Sequence, residues 1–159
     1  ADTLQQMRRV AGISANSPLV RGVANHCLRP TVMETVRRLY WWIKSHVRFE
    51  NDESILATQF GIGPTESDLI ISPDILLQMP QPMGDCDCLS TLFASFLRSL
   101  LIPCRFVAIA ADEMEPSRWS HVYLKGMVDG QWLSLDVSHG SYPGWEYAGP
   151  TFRKMEVEV

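Results

Sequence analysis

The chain lacks any apolar run approaching the ~20 residues that a membrane-spanning helix needs, so no membrane partner is expected. It also lacks an excess of basic residues. The formal net charge is −4, so a uniform basic coat for nucleic acid is absent and no nucleic-acid partner is expected. There is no internal repeat and no low-complexity stretch, and no secretory leader is visible, although the first residue is Ala1 rather than Met. Cysteine is sparse: Cys27, Cys86, Cys88 and Cys104. Zinc usually takes a pair of Cys/His knuckles, and one Cys-x-Cys at a helix start is a poor match, so no metal and no other cofactor is expected. The chain is larger than the usual disulfide-stapled domain, so the thiols are expected to be reduced in a cytoplasmic compartment.

What is present suits one domain over residues 1–159. Apolar residues make up 46% of the chain and charged residues 20%. At this size folding buries roughly two-thirds of the unfolded surface, enough for a core without staples. A short helix is predicted over 3–10. Thr31-x-x-Glu34 has the form of a capping box, and Val32, Val36, Leu39, Tyr40, Ile43 and Val47 follow at helical spacing, which predicts a helix over 32–47. Residues 50–72, rich in Gly, Asp, Glu, Asn and Ser, predict a long surface loop. Ser72-Pro73-Asp74 opens a brief helix that Pro80 and Pro82 end. Leu89, Leu92, Phe93, Phe96, Leu97 and Leu100 form one apolar stripe on a helix that Pro103 stops. Strands are predicted over 105–111, 119–125 and 131–137, with Asp129-Gly130 as a hairpin turn, and 152–159 as an edge strand or tail.

Cys86 falls at the N-terminus of the striped helix. The partial positive charge and free N–H groups there favour thiolate over thiol and can stabilise an oxyanion. At about 100° per residue, Cys86 lies roughly 60° from the stripe centre and faces inward. Asp85 and Asp87 flank it; they suit helix capping, but their charge opposes thiolate, so a cationic partner is needed. His121 is the candidate. Trp119, His121 and Tyr123 share one strand face, as do Trp132, Ser134 and Asp136 on the next strand. A turn at 128–129 would pair His121 with Asp136 directly; a turn at 129–130 would make them diagonal neighbours. Either arrangement lets the carboxylate hold the imidazole tautomer. Each residue also has a plainer reading. Cys86 could be a buried structural thiol, His121 a half-buried strand histidine and Asp136 a strand-end cap. Cys88 and Cys104 read as core thiols, Trp41-Trp42 as core and rim, and His139 as a loop residue that could stand in for His121.

At these residues the sequence resembles the transglutaminase-like superfamily, in particular a bacterial and phage branch with a Gly-Asp-Cys-Asp nucleophile motif. Gly84-Asp85-Cys86-Asp87, then Leu97-Arg98, then Ile102-Pro103-Cys104-Arg105 follow that pattern without a gap. His121-Val122-Tyr123 and Trp132-Leu133-Ser134-Leu135-Asp136 occupy the places of its His and Asp strands. The resemblance covers about 36–140. Leu101 stands where the family has Gly, and Val137-Ser138 where it has Pro-Thr.

The resemblance implies an α+β, papain-like fold: N-terminal helices, with the nucleophile at the start of a central helix packed on a small antiparallel sheet. It implies a cysteine nucleophile that attacks an amide bond of a peptide or protein substrate through a thioester, with Cys86, His121 and Asp136 as catalytic triad. Hydrolysis is the expected outcome; cross-linking to a lysine amine and a catalytically weak, phage-associated binding module are the alternatives. The Cys86 N–H is one oxyanion donor by position, and Gln81 and Trp119 are candidates for a second.

Overall fold

The structure, a computed structural model, describes residues 2–50 and 70–159. Most of the loop expected over 50–72 lies outside the described residues. Eleven elements run in the order α1 (Asp2–Ser14), α2 (Pro18–Cys27), α3 (Val32–His46), β1 (Arg48–Phe49), α4 (Pro73–Gln78), β2 (Met83–Gly84), α5 (Cys86–Ser99), β3 (Cys104–Ala110), β4 (His121–Val128), β5 (Gln131–Leu135) and β6 (Arg153–Glu158) among these residues. The class is α+β, with α5 between the N-terminal helices and a four-stranded antiparallel sheet of order β5-β4-β3-β6.

Local chemistry sets the element ends. Ser17 accepts from the Leu19 N–H, with Pro18 at the first helical position, and so starts α2. Thr31 accepts from the Glu34 N–H and starts α3. Helix α1 runs four residues beyond the 3–10 prediction because Met7, Ala11 and Ser14 are buried along one face. Packing supplies what the weak sequence period did not show.

Helix α5 is buried on more sides than its apolar stripe predicts. Every residue from Cys88 to Leu97 is buried. Helices α1, α2 and α3 cover one side and β3 and β4 the other. The polar residues in this stretch are small, and their hydroxyls are satisfied: Ser90 Oγ donates to the Val122 carbonyl of β4. Thr91 Oγ1 donates to the Asp87 carbonyl at 2.7 Å, and Ser95 Oγ to the Leu92 carbonyl at 2.6 Å. Phe93 and Phe96 are fully buried at the centre; truncating either to Ala would cost about 3–5 kcal/mol.

The helix ends on Leu101, which takes φ +60°. The Ile102 N–H bonds to the Leu97 carbonyl and the Leu101 N–H to the Arg98 carbonyl, which is a Schellman closure. A glycine would adopt this conformation without steric cost. The Leu101 side chain is 90% exposed and gains little in return. Leu101→Gly is therefore expected to stabilise the fold by about 1 kcal/mol, raising the melting temperature by ~2–4 °C. Thermal unfolding followed by circular dichroism checks this; a lowered midpoint would contradict it.

The hairpin turn is Asp129-Gly130, with φ +52° and +80°, closing a Val128–Gln131 pair. Leu124 therefore pairs with Leu135, which makes His121 and Asp136 diagonal neighbours. The strands are shifted from the predicted spans. β4 starts at His121 rather than Trp119, because Ser120 turns its hydroxyl to accept from the Ala111 N–H. β5 stops at Leu135 rather than Val137, because the Asp136 carbonyl leaves the ladder to accept from Tyr40 Oη and the Gly140 N–H. Residues 153–158 are a sheet edge, paired to β3. A parallel pair, Arg48 with Met83 and Phe49 with Gly84, lays β1 beside the segment that leads into Cys86; the sequence reading did not foresee it.

Candidate active site

The start of α5 and the start of β4 meet at a cavity of about 510 Å³. Asp85, Cys86 and Asp87 line one side, Trp119, His121 and Val122 the other, and the first turn of α1 reaches it through Thr3 and Leu4. Cys86 and His121 thus share one recess. Trp119 belongs to its wall, and the Arg153 guanidinium lies over the Trp119 ring, 4.3 Å from its centroid. Gln81 is exposed and outside this lining, because the Pro80–Pro82 turn carries it away from the recess.

His121 and Asp136 are joined. Nε2 of His121 lies 2.7 Å from Oδ2 of Asp136, and the two side chains are only 9% and 1% exposed. An ionised carboxylate only accepts, so Nε2 carries the proton and Nδ1 of the neutral ring carries the lone pair. That Nδ1 is buried and has no protein partner among the described residues. Asp136 is held by more than the imidazole. Its Oδ1 accepts from Ser138 Oγ at 3.1 Å and from the His139 N–H at 3.0 Å. Burial works against its ionisation, but the His121 hydrogen bond, strengthened by charge when the ring is protonated, and the His139 N–H outweigh burial and hold the carboxyl below its usual range.

Cys86 stands differently. It is half-buried, and its Sγ is 3.8 Å from Oδ1 of Asp87, with no hydrogen bond to His121. Burial pushes its thiol well above the ordinary range, and the Asp87 and Asp85 charges push the same way; a main-chain hydrogen bond from Val122 opposes them. Asp85 caps α5, accepting from the Cys88 N–H at 3.0 Å. The Cys86 N–H lies in the first turn, where a helix offers no carbonyl to receive it. Cys27, Cys88 and Cys104 are buried and in no disulfide, and Cys88 Sγ accepts from the Ile71 N–H at 3.4 Å. No group of three or more His, Cys, Asp or Glu residues suited to hold a metal ion occurs among the described residues, and no helix there is long and apolar enough to cross a membrane.

Tyr40 and Gly140 contribute beyond the sequence reading, and His139, read as a loop residue that could stand in for His121, packs beside it instead. The Tyr40 hydroxyl donates to the Asp136 carbonyl from 96 residues away at 3.1 Å, and no spacing in the chain signals that contact. His139 packs its ring on His121, with centroids 4.1 Å apart, and faces Phe49 at 5.6 Å. Gly140 passes so close to the Asp136 carbonyl that a Cβ would sit 2.4 Å from its oxygen and 2.9 Å from Tyr40 Oη. Asp136 and Gly140 four residues on were a readable turn signal. Gly140→Ala is expected to destabilise the protein by about 1–3 kcal/mol, because main chain must move, and to loosen the carboxylate. Urea unfolding measures the first effect; an unchanged midpoint would contradict it.

The sequence profile of the transglutaminase-like superfamily matches residues 18–137, which holds α2 through β5 and all three of Cys86, His121 and Asp136. The chain belongs to the transglutaminase-like superfamily. No curated protein matches it in sequence. Among solved structures, it is similar to a proposed protease from Parabacteroides distasonis, with TM-score 0.62 and 14% identity over 89% of this chain and 26% of that one. It is also similar to a proposed cysteine protease from Cytophaga hutchinsonii, with TM-score 0.54 and 14% identity over 88% of this chain and 50% of the other. A third similar structure is a TGase, with TM-score 0.51 and 12% identity over 88% of this chain and 34% of that one. At such identities the likeness shows the transglutaminase and papain-like fold. The chain spans half or less of each of these proteins. Membership supports cysteine-based acyl transfer or peptidase chemistry at the level of the superfamily.

Proposed function

We propose that the protein hydrolyses an amide bond of a peptide or protein through a thioester on Cys86, with His121 and Asp136 completing a catalytic triad. One observation carries this reading: Asp136 occupies Nε2 of His121 and leaves Nδ1 unpartnered, in the recess that holds Cys86. The imidazole is held as a base with one nitrogen unpartnered, in a residue that lines the same recess as the nucleophile.

The reaction requires the Cys86 side chain to turn away from Asp87 so that Sγ meets that nitrogen. Nδ1 takes the thiol proton, and the imidazolium, held by Asp136, offsets the burial and carboxylate charges that disfavour thiolate. Sγ attacks the carbonyl carbon, and the carbonyl oxygen becomes the oxyanion, which the Cys86 N–H at the positive end of α5 can receive. Breakdown expels the amine, which takes the proton from Nδ1, and leaves the thioester. Water, deprotonated by Nδ1, attacks the thioester; the carboxylic acid leaves and Sγ recovers the proton. A lysine amine in place of water would give cross-linking. Hydrolysis is the simpler outcome, since an aqueous site favours water unless an amine pocket is built. The Gly84-Asp85-Cys86-Asp87 motif supports placing the chain in the bacterial and phage branch.

A second reading is a binding module whose Cys86 stays protonated. The Sγ contact to Asp87 and the raised thiol pKa favour it. Iodoacetamide labelling at pH 7, with the modified residue located by peptide mass, separates the two. A triad gives Cys86 labelling about tenfold or more faster than in His121→Ala. A slow rate, equal in both proteins, would leave only the module.

A further inference from the structure

His139 makes two different contacts with the paired residues. Its main-chain N–H donates to Oδ1 of Asp136 at 3.0 Å, so the carboxylate receives one bond from His139 and one from His121, on different oxygens. Its ring lies against the His121 ring, centroids 4.1 Å apart and tilted by 60°. The far side of the His139 ring meets Phe49, which the parallel β1–β2 pair brings in. Loop, strand β4 and strand β1 thus converge on one imidazole that the acyl-transfer scheme does not use.

The two rings cannot both be charged without cost. At this separation, two unit positive charges repel strongly unless solvent screens them. Partial burial is the main influence against protonating His139; the His121 and Lys44 charges add to it, and Asp136 opposes them. The net direction is a pKa below the usual histidine value, so the ring is neutral at pH 7. Acid protonates it, and the new charge lies beside the ring that must become imidazolium when Cys86 ionises.

We propose that His139 is a positioning residue for the His121–Asp136 pair and an acid-side switch on it: the neutral ring packs on His121, and the protonated ring opposes the thiolate–imidazolium state. The inference rests on Cys86 acting as nucleophile with His121 as its base. The proton bookkeeping is closed. Ionisation moves one proton from Sγ to Nδ1 of His121, and the His139 proton comes from solvent. Lys44, on α3, adds a fixed positive charge that pushes the same way.

The test is the rate of Cys86 alkylation by iodoacetamide between pH 5 and pH 8 in wild type, His139→Phe, His139→Gln and His121→Ala. The ratio of the pH 5 rate to the pH 8 rate is expected to rise about three- to tenfold in both His139 variants, and the gain to shrink at high salt. Packing alone would lower the rate by the same factor at each pH and leave the ratio unchanged. Two variants guard against a local folding defect, because Gln is polar and Phe is ring-shaped, and neither titrates. An unchanged ratio in both, with His121→Ala still slow at pH 8, would overturn the switch and leave the nucleophile reading intact. A His121→Ala rate equal to wild type at pH 8 would overturn both.

Discussion

Replacing His121 with Ala is expected to slow acylation of the protein by p-nitrophenyl acetate about a hundredfold at pH 7, and to lower stability by about 2 kcal/mol or more because buried Asp136 loses its partner. General-base assistance contributes roughly 10²–10⁴-fold where the base is well placed. His121 is placed for it: its side chain is 9% exposed, Asp136 fixes its tautomer, and Nδ1 has no competing partner among the described residues. The need for it is unusually large here. Cys86 is half-buried and flanked by two carboxylates, so without imidazolium the thiolate is disfavoured. A stopped-flow trace of p-nitrophenol release reads the effect. A residual rate within threefold of wild type would show that the helix end alone activates the sulfur.

The second large effect is expected from Asp136→Asn, and it has two parts. Catalytically, an amide can present either a carbonyl or an NH₂ to Nε2, so the tautomer that leaves Nδ1 as acceptor loses its enforcement. The acylation rate should fall by about a hundredfold or more. Thermodynamically, the Asp136 carboxyl is held below its unfolded-state value. A depressed carboxyl contributes stability in full above the unfolded pKa of about 3.9. That contribution is lost as pH falls through the lower, folded-state value. Wild type should therefore lose stability on acidification below about pH 4, and the variant should lose less there. At neutral pH the variant should be less stable by about 2 kcal/mol, the scale of a charge-assisted hydrogen bond. Glu146 and Glu156 are also held low, so part of the acid sensitivity persists. Melting temperatures at pH 3, 4 and 7 read the difference. Parallel pH curves for the two proteins would contradict it.

The legible part of the molecule was the part written by local rules. Thr31 as a cap, Pro73 at a helix start, the Leu89–Leu100 stripe and Asp129-Gly130 as a tight turn each follow from chemistry within a few residues. The nearness of His121 to Asp136 was legible too, because both registers the turn allowed bring them together; the structure takes the diagonal one. Long-range contacts were not legible. The Tyr40 hydroxyl reaches Asp136 only because α3 packs beside the loop after β5. Phe49 comes near His139 only through a two-residue parallel pair. The burial of Ser90, Thr91 and Ser95 was hidden for another reason: small hydroxyl residues carry no apolar signature, yet Thr91 and Ser95 satisfy their hydroxyls on their own helix and Ser90 donates to the Val122 carbonyl of β4.

Leu101 shows the converse. Its position called for a left-handed residue, and the chain adopts that conformation without glycine. The Schellman bonds and the burial of Ile102 and Leu97 outweigh the local strain. Tertiary packing overrides propensity at a single residue, at a cost the Gly variant can measure.

The account stands or falls on a covalent bond between an acyl group and one sulfur. The protein is mixed with p-nitrophenyl acetate, quenched in acid within the first turnover, and weighed intact, and the modified residue is then located by peptide mass. The account expects one added acetyl group on Cys86, absent in Cys86→Ala and strongly reduced in His121→Ala. No adduct in wild type, or an adduct on Cys86 that forms equally fast without His121, would contradict it.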